Sequence, residues 1–155
     1  MLNFNIMGEK FKGKDDLIKE IYDDIKLPTR ATIHSAGYDF FAPYSFGIPT
    51  KDGVVIPTGI RCKIRAGWVL KLYPRSGHGN RHGVHLYDTV AVIDGDYYDT
   101  SNEGHILIKL TAKDHNCSIE KGIGMCQGVF IPYGITIDDD VTETRTGGFG
   151  STSKK

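Results

Sequence analysis

The chain has 155 residues, and its 19 lysines and arginines balance 19 aspartates and glutamates, so the formal net charge is zero. One domain of that length can bury a core without disulfide or metal staples, and the charge balance argues against attraction to duplex nucleic acid, which shows as a basic surplus. Cys62, Cys117 and Cys126 lack C-x-x-C spacing and read as reduced thiols. No apolar run approaches the roughly 20 residues that span a bilayer, and the first residues lack a secretory apolar stretch, so the expectation is a soluble cytoplasmic protein, cellular or virus-encoded.

Along the chain, residues 3–7 predict a first strand. In 15–26, Leu17, Ile18, Ile21, Tyr22 and Ile25 recur at helical spacing. Asp15 suits the cap and Pro28 bars continuation, so one short helix packed on the core is expected. Short apolar runs bounded by Gly, Pro, Asn or Asp then predict strands at 38–42, 46–48, 53–57, 59–64, 67–74, 84–86, 90–93, 104–111, 128–133 and 134–138. In 67–74, Leu70, Leu72 and Pro74 alternate with Lys71, Tyr73 and Arg75, the period of a half-buried strand. The fold class is therefore all-β, among sandwiches, jelly rolls and barrels. There are no internal repeats and no second domain. Residues 138–155 are polar, glycine-rich and short of core residues; on composition alone they read as disordered.

Four segments hold more Gly, Asp, Ser and Arg than strands need: Ser35-Ala36-Gly37-Tyr38-Asp39, Pro74-Arg75-Ser76-Gly77, Val92-Ile93-Asp94-Gly95-Asp96-Tyr97 and Arg145-Thr146-Gly147-Gly148-Phe149-Gly150-Ser151-Thr152. In the last, glycine backbone and the Ser151 and Thr152 hydroxyls are donors for an anion. Arg145 can grip phosphate with two N–H groups, and Phe149 can stack on a base. Such an arm can close over a nucleotide and exclude water; a solvated tail is the plain alternative. Arg75, Ser76 and Gly77 form a second donor set, or equally a surface charge and a turn. Asp94 and Asp96 flank a glycine after an apolar run, which is a hairpin signal and also a place for a carboxylate that deprotonates water. His78, His82 and His85 are spaced like ligands, but no cysteine or carboxylate completes a zinc set. No G-x-x-x-x-G-K-[ST], G-x-S-x-G or H-E-x-x-H pattern occurs.

Ala-Gly-Tyr-Asp, Pro-Arg-Ser-Gly, Ile-Asp-x-Asp-Tyr, a Gln-bearing strand and Gly-Gly-Phe-Gly-Ser-Thr, in that order, resemble the motifs of the trimeric dUTP pyrophosphatase family. The resemblance runs from residue 26 to Thr152. It implies a jelly-roll-like β-barrel over 1–138 and an arm over 139–155. It also implies a homotrimer with active sites between subunits, each closed by an exchanged C-terminal arm. The implied reaction is hydrolysis of dUTP to dUMP and pyrophosphate. By resemblance Asp94 is the general base and Gln127 positions the phosphate chain and its water. Tyr97 packs under the deoxyribose, and Val92 and Ile93 meet uracil with their backbone. Arg75, Ser76 and Gly77 hold phosphates, as do Arg145, Gly150, Ser151 and Thr152, while Phe149 stacks on uracil. Asp39 supports a Mg2+-bound triphosphate through water.

The departures are specific. Gly122-Ile123-Gly124 stands where the family usually has Gly-Asp-Arg, Ala91 where a glycine is usual, and Tyr98-Asp99 for a common Arg-Gly. The run between Arg145 and Gly147 is one residue short. Asp88 replaces a usual asparagine on the base-recognition hairpin, and a carboxylate there would accept from a C4 amino group. That keeps a dCTP-hydrolysing enzyme open as an alternative, with a dCTP deaminase or a regulator-binding module of the same fold.

Overall fold

The structure is a computed structural model that describes residues 1–8 and 16–148, with side chains excluded at 16–18. Its strands in chain order are β1 (Leu2–Ile6), β2 (Thr29–Arg30), β3 (Tyr38–Phe41), β4 (Phe46–Ile48), β5 (Val54–Pro57), β6 (Ile60–Ile64), β7 (Trp68–Pro74), β8 (His85–Leu86), β9 (Ala91–Ile93), β10 (Leu107–Thr111), β11 (Cys117–Ile119) and β12 (Gly124–Pro132). Helix α1 (Asp16–Ile21) runs into a 3-10 turn (Tyr22–Asp24). Helix α2 (Ser76–His82) follows β7, and a 3-10 helix (Gly95–Asp99) follows β9.

Strands distant in sequence pair in nested antiparallel fashion: β3 with β12, β4 with β11 and β5 with β10. A chain doubled back on itself in this way and wrapped around one core is a jelly-roll-like β-barrel. Its widest sheet has five strands in the order β2-β3-β12-β7-β9. Alternation explains the core: Leu70 and Leu72 of β7 are fully buried, as are Ile56, Ile108 and Leu110 on β5 and β10. Phe4 closes one end, with ring centroids 5.4–5.5 Å from Tyr38, Phe40 and Phe130, pairs worth about 0.5–1.5 kcal/mol each beyond area burial. Burial pushes the Cys62 thiol up to about 12 and raises Cys126 as well, so neither is a thiolate at neutral pH.

Three expectations need correction. The fold has a second α-helix where only one is expected: Ser76 and Gly77, expected as phosphate donors or a turn, begin a helix that runs to His82 although Gly77, Gly79 and Asn80 are poor helix formers. It forms because tertiary contacts fix it. Gly83 closes it in the left-handed conformation, with its N–H donating to Gly79 O at 3.0 Å, and His78 Nε2 lies 3.1 Å from Gly124 O. The strand expected at 134–138 is absent. Ile135 and Ile137 are 74% and 99% exposed, and no strand among the described residues pairs with them. The Asp94-Gly95 pair makes no hairpin; it opens the 3-10 helix Gly95–Asp99. The expected helix at 15–26 is shorter but does pack inward: Ile21 and Ile25 are buried, and the Tyr22 hydroxyl donates to Met7 O. The proposed cap, Asp15, lies outside the described residues. No described helix is long and apolar enough to cross a membrane.

Candidate active site

The candidate residues gather at two ends of β7. At one end, β3 presents Asp39, the exit of β7 presents Arg75, and β12 presents Gln127. Arg75 Nε lies 3.2 Å from Asp39 Oδ1, and its Nη1 donates to Gly124 O at 3.2 Å. Gln127 Nε2 donates to Pro74 O at 3.2 Å. Two glycines make room: a Cβ on Gly124 would overlap the Arg75 guanidinium, and one on Gly37 would overlap Gln127 Oε1. Gly124 thus leaves the Arg75 side chain the position from which it reaches the Gly124 carbonyl. Ser76 and Gly77 are exposed at the start of α2. The cleft here measures about 450 Å³, with Ser35, Gly37, Asp39, Arg75, Ser76 and Gln127 among its walls.

Sequence reasoning missed Arg30. Its Nη1 donates to Ile33 O and Ser35 O at 2.9 and 3.0 Å, and Thr32 N donates to Ser35 Oγ at 3.2 Å. This one guanidinium shapes the loop that leads to Asp39. The only signal was a basic residue just ahead of the Ala-Gly-Tyr-Asp segment.

At the other end, β9 carries Val92 and Ile93 into Asp94 and the 3-10 helix. Tyr97 is buried there. Its hydroxyl donates to His105 O at 2.7 Å and accepts from Asn102 Nδ2 at 2.7 Å. Burial raises the phenol above its ordinary range, with the Asn102 hydrogen bond and nearby Arg145 opposing, so Tyr97 is neutral at pH 7. Arg145 Nη1 lies 3.1 Å from Asp94 Oδ2 and its guanidinium carbon 5.8 Å from the Tyr97 ring. The arm is tied on by Ser101 N donating to Thr146 O at 3.1 Å, and Gly148 lies against the ring. A cleft of about 330 Å³ is lined here by Asp88, Val92, Ile93, Tyr97 and Arg145, the lower end of small-ligand sites. Asp88 is exposed, and the turn beside it carries Thr89 at a φ of 68°. Phe149, Gly150, Ser151 and Thr152 lie outside the described residues.

The two groups share no lining residue. Ile93 pairs with Leu70 and Gln127 with Tyr73, on opposite sides of β7. Asp94 thus lies level with Val69, separated from Gln127 by roughly 13 Å along the strand and about 10 Å across it. A third cleft of about 330 Å³, between Asp24, Ala42 and Lys121, holds none of the candidates. Among the described residues no three His, Cys, Asp or Glu side chains cluster as a metal site.

Residues 23–153 match the dUTPase family model. The deoxyuridine 5'-triphosphate nucleotidohydrolase of Lactococcus lactis subsp. lactis is 40% identical over 92% of this chain and 98% of its own. The solved dUTPase of Streptococcus mutans superimposes with a TM-score of 0.71 at 33% identity, over 88% of this chain and 99% of that one. At 18% identity, over 92% and 97% of the two chains, a dUTPase of phage phi11 of S. aureus that coordinates a structural Mg(II) ion shares the fold, with a TM-score of 0.66. With the ordered motifs, the nested β pairing and a match over most of its length, the chain belongs to the dUTPase family.

Proposed function

We propose that the protein hydrolyses dUTP to dUMP and pyrophosphate by attack of water on the α-phosphorus. The observation that carries this is Asp94 paired with Arg145, a guanidinium that lines both the cleft holding Tyr97 and the neighbouring cleft holding Asp94. A carboxylate within hydrogen-bond reach of a water can take its proton as it attacks. A guanidinium beside it offsets the charge that develops on the phosphate oxygens. Phosphoryl chemistry asks for positioning and charge stabilisation rather than a covalent intermediate. Val92 and Ile93 meet the base with their backbone, and Tyr97 leaves no room for a 2′-hydroxyl. The neutral phenol also suits contact with a sugar better than a phenolate would.

Arg75, Ser76 and Gly77 hold phosphates and Gln127 orients the chain and its water, yet Gln127 and Asp94 of one chain are too far apart to reach the same water. That separation supports a homotrimer in which each site joins the Asp94 end of one subunit to the Gln127 end of another. The chain divides into a barrel over 1–138 and an arm over 139–155 that closes such a site, with Phe149 stacked on uracil and Gly150, Ser151 and Thr152 on the outer phosphates. Arg145 here rests on its own chain's Asp94, 19% and 47% exposed. A pair so open is worth about 0–1 kcal/mol, too little to keep the arm from exchanging.

Asp39 is a single carboxylate already paired with Arg75, which suits a water-mediated contact to Mg2+ held on phosphate oxygens and offers no protein cage. Bound there, Mg2+ would neutralise charge on the triphosphate. Removing dUTP keeps uracil out of DNA and supplies dUMP, work that belongs with the nucleotide pool of the cytoplasm. The test is incubation with dUTP, dCTP and dTTP plus magnesium, followed by product identification. Pyrophosphate and dUMP from dUTP alone are expected. Ammonia would mean a deaminase, turnover of dCTP a broader hydrolase, and no product a binding module; each would overturn the reading.

A further inference from the structure

Tyr97 is pinned by a group that no motif contains. His105 O is a carbonyl and only accepts, so the phenol proton is committed to it. The phenol oxygen must then be the acceptor for Asn102 Nδ2, at 2.7 Å. Asn102 is oriented in turn by Thr100, whose hydroxyl lies 2.7 Å from Asn102 Oδ1 and 2.8 Å from Tyr97 O. The Thr100 hydroxyl has one proton for these two acceptors, so it bonds either Asn102 Oδ1 or the Tyr97 carbonyl at any moment.

The loop that presents Asn102 is built for it. Glu103 and Gly104 are both left-handed, at φ of 59° and 71°. Gly104 passes so close to the 3-10 helix that a Cβ would lie 2.7 Å from Tyr98 Cα. Glu103 N and His105 N donate back to Thr100 O and Asn102 O at 2.8 and 3.2 Å. Buried His105 anchors the far side, its Nε2 accepting from Gly59 N at 3.1 Å. The Tyr97 ring is also covered by Gly148, but that contact leaves if the arm exchanges. The Asn102 bond belongs to the barrel and stays.

We infer that Asn102 is a positioning residue for sugar selection, holding the Tyr97 ring at the height that admits a 2′-deoxyribonucleotide and rejects a ribonucleotide. The inference rests on the role proposed for Tyr97 and adds the group that sets it. A ring freed at its hydroxyl can tilt and make room for one more oxygen.

The experiment measures kcat/KM for dUTP and UTP in the full-length protein. Asn102→Ala should lower the dUTP:UTP ratio by about tenfold, as loss of one buried hydrogen bond allows, chiefly by improving UTP. Asn102→Leu keeps much of the side-chain volume but offers the phenol oxygen no donor, and should lower the ratio in the same way. It carries the test if the alanine variant fails to fold. In a Tyr97→Phe background no phenol remains to be held, so Asn102→Ala should change the ratio by less than about twofold further. An unchanged ratio in the folded variants overturns the inference, and so does an equal loss in the Phe background, which would mark a general role in loop folding. Tyr97→Ala separates the two readings. If it leaves discrimination intact, the Tyr97 role itself fails; if it lowers discrimination while Asn102→Ala does not, only the Asn102 role fails.

Discussion

The two ends of β7 are finished to different degrees. At the Gln127 end, Arg75 and Gln127 are each tied to backbone carbonyls, and bare glycines leave them space. At the Asp94 end the floor is equally firm, since Tyr97 is held by Asn102 and His105. The cation beside Asp94, however, comes from Arg145, in a segment without regular structure. Side chains fixed by the fold lose little freedom when a ligand arrives, whereas an arm must be ordered at that moment. The contrast is between a Gln127 half that is prebuilt and an Asp94 half whose cation is brought by the arm.

The largest expected effect removes the arm that completes the Asp94 half. Deleting residues 145–155 should bring dUTP turnover below detection while size-exclusion chromatography still gives the wild-type assembly, because 145–148 supply nothing to the core. A monomeric or unfolded product would make the arm structural. Next in size, Asp94→Asn should leave nucleotide affinity near wild type by calorimetry and lower kcat by about 10²–10⁴, the usual cost of losing a general base. Near-normal kcat would remove Asp94 from the chemistry.

Gly124→Ala tests the prebuilt half. The methyl would occupy the place of the Arg75 guanidinium, so KM for dUTP should rise by about tenfold, equivalent to about 1.4 kcal/mol, with kcat less affected. A fall in kcat at constant KM would show that this end serves the chemistry as well. The smallest effect belongs to Asp88, exposed on the turn beside the Tyr97 cleft. With backbone groups reading the base, Asp88→Asn should change KM for dUTP by less than about threefold, well under that same 1.4 kcal/mol, and dCTP should be a poor substrate before and after. Loss of a dCTP activity on this substitution would show that the carboxylate reads a C4 amino group.

Most of the strands were legible because Leu70 and Leu72 against Lys71 and Tyr73 record which face is buried. The same alternation misled at Ile135 and Ile137, since periodicity reports a face and says nothing about whether a neighbouring strand exists. Helix α2 was illegible because tertiary contacts override its glycines. Asp94, Tyr97 and Arg145 could be named from motifs, as could Asp39, Arg75 and Gln127, and the structure brings each trio together. Their division between opposite ends of β7 was not legible, because it follows from the long-range register of β7 with β9 and β12. Asn102 and Arg30 escaped for a different reason: each works through contacts within its own loop, to Tyr97 and to the Ile33 and Ser35 carbonyls, and no residue pattern spells out that loop geometry.

The separation along β7 has a genetic consequence. If each site draws its water-activating carboxylate and its phosphate grip from different copies of the chain, two inactive alleles need not add up to an inactive enzyme. A chain carrying Asp94→Asn and a chain carrying Arg75→Ala, expressed together, would assemble some sites that inherit an intact half from each parent. Heterozygotes would then retain measurable activity, whereas two alleles damaged at the same end would not rescue one another.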